Sequence, residues 1–124
     1  MKQIYLDNAA TTPLAQEVAN AMMPVLLEVF GNPSSSHATG RKAKALIETS
    51  RRDIAHLLGC EPRSIIFTSG GTEADNLALR SAVRDLGCQR IVTSAAEHSA
   101  VIASAEKMSD LFDVEVVYVK HNED

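Results

Sequence analysis

FTSGGTEADN, Phe67–Asn76, is where this chain switches from one kind of element to another. An apolar run, Ile65-Ile66-Phe67, stops at Ser69-Gly70-Gly71-Thr72, and an acidic, helix-like segment begins. Glycine loses more backbone freedom on folding than any other residue, so two in a row at a strand–helix turn need a reason. One reason is an anion. The turn would aim free N–H groups outward at a helix N-terminus, where the helix dipole also favours negative charge. Gly71 would let a phosphate approach the backbone, and the Thr72 hydroxyl would donate to it. Neither GxxxxGK[ST] nor GxGxxG is present, which disfavours a nucleoside triphosphate or a dinucleotide. The other reading is a plain turn with a capping box, Thr72 and Asp75 serving as its two halves. Glu73 would repel a phosphate if it faced inward, so it is expected to point away. Local chemistry alone leaves both readings open.

Outward from this turn, periodicity organises the chain. Upstream, residues 4–6 read as a short strand ended by the turn pair Asp7-Asn8. Pro13 suits the first turn of a helix whose apolar face is Val18, Met22, Leu26 and Val29; Pro24 within it predicts a kink or two short helices. NPSSSHATG, residues 32–40, is a polar loop. A longer helix follows, with Ala43, Leu46, Ile47, Ile54, Leu57 and Leu58 on one side and Gly59 and Pro62 as its stop. His56 lies within that helix and reads as structural, and His37 carries no strong functional signal.

Ser64–Thr68 is short and apolar enough for a strand buried on both faces. Downstream come a helix from about Thr72 to Leu86 with Gly87 as its cap, a strand Arg90–Thr93, a helix His98–Ser109 and a strand Val114–Val119. The order from residue 64 is strand-helix-strand-helix-strand, which implies crossover connections and a parallel sheet of three strands.

Composition bounds the class. The 124 residues are 45% hydrophobic and 23% charged, as in globular domains, with a net charge of −4. No Lys/Arg cluster opposes that charge, so no nucleic-acid partner is expected. No apolar run approaches the roughly 20 residues that span a membrane. The N-terminus lacks the long apolar core of a signal peptide, so a cytoplasmic location is expected. Cys60 and Cys88 have neither metal-ligand nor redox spacing, and no metal site is expected.

In open parallel sheets, ligands bind beyond the carboxyl ends of the strands. His98 stands there, opening a helix directly after a strand. The positive end of the dipole favours a neutral imidazole, able to stack on a planar ligand or pass a proton. The alternative is a surface or capping histidine, with Ser94-Ala-Ala-Glu97 as a separate capping box.

Four motifs taken together, YLDNAATTP (5–13), FGNPSSSH (30–37), IIFTSGGTEADNLAL (65–79) and TSAAEHSAV (93–101), resemble the N-terminal third of the cysteine desulfurases, in the NifS/IscS-like branch. These are class V aminotransferases, enzymes of fold type I that use pyridoxal 5′-phosphate (PLP). The resemblance implies a three-layer α/β/α fold with a mostly parallel sheet. Residues 1–14 would be a segment associated with the small domain and active site, and 15–124 an incomplete part of the large PLP-binding domain. It further implies that Gly71 and Thr72 hold the PLP phosphate, that His98 stacks on the pyridine ring and takes part in proton transfer, and that Asn8, Ala9 and Thr11 lie near the substrate carboxylate. The NPSSSH loop would lie near the active-site entrance and the dimer interface.

The implied activity converts L-cysteine to L-alanine and passes the sulfur as a persulfide to an acceptor or iron–sulfur scaffold protein; the implied enzyme is a homodimer. A selenocysteine lyase, another class V enzyme, or a non-catalytic remnant binding phosphate or a partner are the alternatives. In the family, the PLP-bearing lysine and the sulfur-accepting cysteine come later in the chain. Lys2, Lys42, Lys44, Lys107, Lys120, Cys60 and Cys88 do not match those contexts, so these 124 residues are expected not to catalyse the reaction alone.

Overall fold

The structure, a computed structural model, describes residues 4–119; Lys2 and Lys120 lie outside the described residues. The chain divides between Ile65 and Ile66 into two compact units, each described by itself.

The first unit begins without the expected strand at residues 4–6, where Ile4 and Leu6 are exposed. Apolar residues alone do not make a strand; a ladder of backbone hydrogen bonds does. The expected turn does form, with Ala10 and Thr11 both donating backbone N–H to the Asp7 carbonyl, at 3.2 and 3.3 Å. Helix α1, Gln16–Glu28, starts three residues after Pro13, which therefore lies outside it. It runs unbroken through Pro24, where two short helices were an alternative. The ring deletes one donor, but Val29 N–H still reaches the Val25 carbonyl beyond it, and the exposed surroundings leave the freed carbonyl open to water.

Helix α2, Ala38–Leu58, ends as expected at Gly59, which adopts φ +66° and donates to the Ala55 and His56 carbonyls. Ala43 and Ala55 are its buried apolar residues. The short 3-10 turn Pro62–Ser64 packs beside α2, and the Arg51 side chain donates to the Ile65 carbonyl.

The second unit holds helix α3, Gly71–Arg84; strand β1, Arg90–Ser94; helix α4, Ser99–Phe112; and strand β2, Glu115–Val119. Strands β1 and β2 pair in parallel with Arg90 opposite Glu115, Val92 opposite Val117 and Ser94 opposite Val119. A 2.6 Å Arg90–Glu115 ion pair marks the same register. Among the described residues the sheet has these two strands and not three. The 64–68 run is a 3-10 turn followed by extended backbone, with Ile65 at φ −92°, ψ 123°. Ile66 is 66% exposed and Phe67 48%, so burial on both faces is not realised among the described residues. An extended shape is local, whereas a place in a sheet depends on a distant partner.

The core of this unit is Val83, Ile91, Ala105, Met108 and Val114, with Leu79 and Val116 packed against it. Those side chains come from α3, β1, α4, the link before β2 (Val114) and β2 itself (Val116), so both helices are anchored to the sheet by one cluster. Buried Ser104 avoids an unsatisfied hydroxyl by donating to the Ala100 carbonyl at 2.6 Å. The α/β class with a parallel sheet is the one the strand and helix order implied.

Candidate functional site

The turn at 69–72 ends in a helix whose cap residue has no side chain. Gly70 is the N-cap of α3, with φ 166° and ψ −179°, extended backbone open to any residue. Gly71 is the first helical residue. A Cβ built on either glycine meets nothing within 4 Å. Neither conformation nor crowding in the described chain therefore requires glycine here, while a ligand pressed against the backbone would. The first helix bond runs from Ala74 N–H to the Gly70 carbonyl at 3.1 Å. The N–H groups of Gly71, Thr72 and Glu73 thus precede the helical ladder and have no acceptor in it.

The Thr72/Asp75 capping box of the plain-turn reading does not form, because α3 starts at Gly71 and Thr72 already lies inside the first turn. A half-built relative of that box starts at Ser69, one residue before the Gly70 cap: Glu73 Oε2 accepts from Ser69 N–H at 2.6 Å and from Ser69 Oγ at 2.7 Å. Glu73, expected to point away from a bound phosphate, directs its carboxylate at Ser69. Those two bonds, the backbone one first, hold its carboxyl below the usual glutamate range. The serine-to-glutamate spacing of four was the available signal for this pair. Asn76 closes the face by donating its side-chain amide to the Thr72 carbonyl at 2.8 Å.

At the carboxyl end of β1, Ser94 Oγ accepts from Ala96 N–H at 3.0 Å, and Glu97 N–H donates to the Ser94 carbonyl at 3.2 Å. This is a turn of its own, not the start of a helix. His98 is the N-cap of α4, and its Nδ1 accepts from Ala100 N–H at 3.1 Å. An accepting Nδ1 carries no proton, so the neutral ring carries its hydrogen on Nε2. The capping reading of His98 is realised, and it leaves the exposed Nε2 edge for other work.

Gly71, Thr72 and His98 belong to the second unit; Asn8, Ala9 and Thr11 belong to the first. Asn8 and Ala9 sit exposed in the turn after Asp7, and Thr11 Oγ1 lies 2.5 Å from the Tyr5 hydroxyl. Two cavities of the second unit, about 610 and 450 Å³, are lined by Val83, Arg84 and Phe112 and by Leu77, Arg80 and Leu111 among others; neither includes Gly71, Thr72 or His98. The cup at α3 is an open surface feature of backbone donors.

The 30–37 loop shows what the sequence did not. Asn32 Oδ1 accepts from Ser34 N–H and its carbonyl from Ser35 N–H, at 2.9 and 3.0 Å. His37 caps α2, its Nδ1 accepting from Gly40 N–H at 3.3 Å. A Cβ on Gly40 would lie 2.5 Å from the Asn32 and Ser35 carbonyl oxygens, and one on Gly31 would lie 2.3 Å from the Thr39 carbonyl oxygen. The loop is clamped onto the first turn of α2 by backbone contacts that only glycine admits. Among the described residues no group of three or more His, Cys, Asp or Glu is placed to hold a metal ion, and no helix is long and apolar enough to cross a membrane.

The second unit thus combines a parallel α/β arrangement with a glycine-opened helix start and a histidine beyond a strand end, features suited to holding an anion. Residues 4–124 match the aminotransferase class-V family, and the chain belongs to it. The chain is 50% identical over 110 residues to a cysteine desulfurase of Cereibacter sphaeroides, covering 87% of this chain and 28% of that protein. It is 42% identical over 131 residues to a selenocysteine lyase of Xenopus laevis, covering 94% of this chain and 31% of that protein. A solved structure described as a NifS-like protein superimposes with a TM-score of 0.83 at 34% identity, covering 95% of this chain and 33% of that one. The chain thus spans about a third of the length of the curated relatives it matches.

The class-V family is PLP-dependent. The residues present fit that group: N–H donors outside the helical ladder, a hydroxyl at Thr72, and a glycine over which a phosphate oxygen can come close without displacing protein atoms.

Proposed function

We propose that this chain is the N-terminal part of a cysteine desulfurase that converts L-cysteine to L-alanine and delivers the sulfur as a persulfide. The observation that carries this reading is the start of α3, where Gly71 is demanded by nothing within 4 Å and is left open to an anion. It is supported by the family match over residues 4–124 and by the desulfurase relative.

In this reading the N–H groups of Gly71 and Thr72 and the Thr72 hydroxyl bind the PLP phosphate, the α3 dipole adding favourable charge. His98 stacks on the ring of the cofactor; its capping bond at Nδ1 fixes the plane of the imidazole and assigns any proton transfer to Nε2. Asn8, Ala9 and Thr11 approach the carboxylate of the substrate, with Tyr5 orienting Thr11. When bound, PLP supplies an electron sink for the bond changes at the substrate amino acid. Residues 1–14 belong with the small domain and active site, and residues 15–124 with the large PLP-binding domain. We further read the enzyme as a cytoplasmic homodimer that serves a sulfur-acceptor or iron–sulfur scaffold protein.

The test is an assay of the intact protein with PLP and L-cysteine for alanine and bound persulfide. Alanine formation that depends on both supports the reading. Selenocysteine lyase is the second reading, favoured by the 42% identical relative of that name. Turnover of L-selenocysteine with none of L-cysteine would select it.

A further inference from the structure

The start of α3 contains a carboxylate that ought to be harmful. Glu73 is the third helical residue, in the turn where an anion would be held, and like charges there disfavour binding. Its carboxylate is committed elsewhere. A single oxygen, Oε2, takes both donors of Ser69, the backbone N–H at 2.6 Å and the hydroxyl at 2.7 Å. On the other side of the cap, Thr68 Oγ1 donates to the Gly70 carbonyl at 3.2 Å. The two glycines, which restrain the chain least, are thus bracketed by side-chain bonds before and after them.

We propose that Glu73 is a positioning residue for the phosphate cup. By holding Ser69 it fixes the entry into the Gly70-Gly71 turn, so that the Gly71 and Thr72 N–H groups stay convergent on one anion. The usual occupant of such a position, an N-cap side chain bonded to the second or third amide, would consume those donors. Capping from one residue ahead holds the same backbone and leaves the donors open. Two effects of Glu73 oppose each other. Repulsion between one solvent-exposed carboxylate and a phosphate dianion at the distance of a helical turn, screened by physiological salt, amounts to a factor of about three to four in affinity. Loss of a hydrogen bond to a charged acceptor amounts to a factor of roughly ten. Holding therefore outweighs repulsion. The inference rests on the phosphate reading of this turn.

The test measures dissociation constants of the full chain for PLP and for its phosphate-free analogue, 5′-deoxypyridoxal, with a melting temperature for each variant. Wild type is expected to prefer PLP. Glu73→Gln keeps an oxygen for Ser69 and should stay within about fourfold of wild type. Glu73→Ala should weaken PLP roughly tenfold and leave 5′-deoxypyridoxal unchanged. Ser69→Ala removes the hydroxyl donor but keeps the backbone one, so it should weaken PLP by about two- to threefold; it carries the test if Glu73→Ala does not fold. Tighter PLP binding by both Glu73 variants would show that the carboxylate only repels, and would overturn the proposal. So would an unchanged ratio of PLP to analogue in Glu73→Ala and Ser69→Ala, whatever their melting temperatures. A wild-type chain that binds both compounds equally would sink the phosphate reading itself, with all variants alike.

Discussion

Helices α2 and α3 both begin with glycine in the first turn, for opposite reasons. At α2, Gly40 is buried, and a side chain there would strike two carbonyl oxygens of the 32–35 segment at 2.5 Å. Its N–H is taken by His37. At α3, Gly71 is exposed, a side chain there meets nothing within 4 Å, and no side chain bonds from the cap. The first glycine is a requirement of the chain's own packing. The second has no such requirement, and its N–H has no acceptor in the helical ladder. Helix α4 resembles α2, its His98 taking an amide of the first turn. A helix start that spends its donors internally is structural; one that leaves them open is suited to a ligand.

The largest effect should come from breaking the closed end. Gly40→Ala must move the 32–35 backbone and should destabilise the protein by about 1–3 kcal/mol, read as a lower denaturation midpoint. At the open end, Thr72→Val should weaken PLP binding roughly tenfold, as for a lost hydrogen bond to a charged group, and barely shift melting. At α4, His98→Ala removes a cap and should cost about 1 kcal/mol of stability, which His98→Asn should largely restore. In the intact protein, cofactor-dependent turnover should be impaired in both variants, since asparagine restores the cap but not the imidazole.

A smaller effect concerns pH. The Glu73 carboxyl is held below its ordinary value in the folded chain, so its contribution is present above that value and is lost as pH falls through the lower folded one. Wild type should therefore lose more melting temperature on acidification than Glu73→Gln does. The smallest effect is Arg90→Ala at the exposed Arg90–Glu115 pair, expected within about 1 kcal/mol of wild type by denaturant titration.

Much of this was legible in the sequence because it is local. The Gly59 stop of α2, the strands β1 and β2, and α4 directly after His98 follow from spacing and turn chemistry. The misreadings involve partners. Ile66 and Phe67 have the side chains of a buried strand, yet ladder pairing depends on residues far away in sequence. A capping box at Thr72, one of the two local readings, fails because the helix has already begun at Gly71, and spacing alone did not single out the true pair, Ser69 with Glu73. The role of Gly40 could not be read either, because the carbonyls that crowd it arrive by a loop closure that no periodicity encodes. The four motifs that carried the family resemblance were visible from the outset, and the match over residues 4–124 agrees with them.

The central claim is that Gly71 is kept for a ligand and not for the fold. Gly71→Ala tests it most directly, with the PLP dissociation constant and the melting temperature measured on the same preparation. The account predicts clearly weaker PLP binding with melting unchanged or slightly raised, since alanine suits a helix better than glycine. Unchanged PLP affinity, or a melting loss like that of Gly40→Ala, would contradict it.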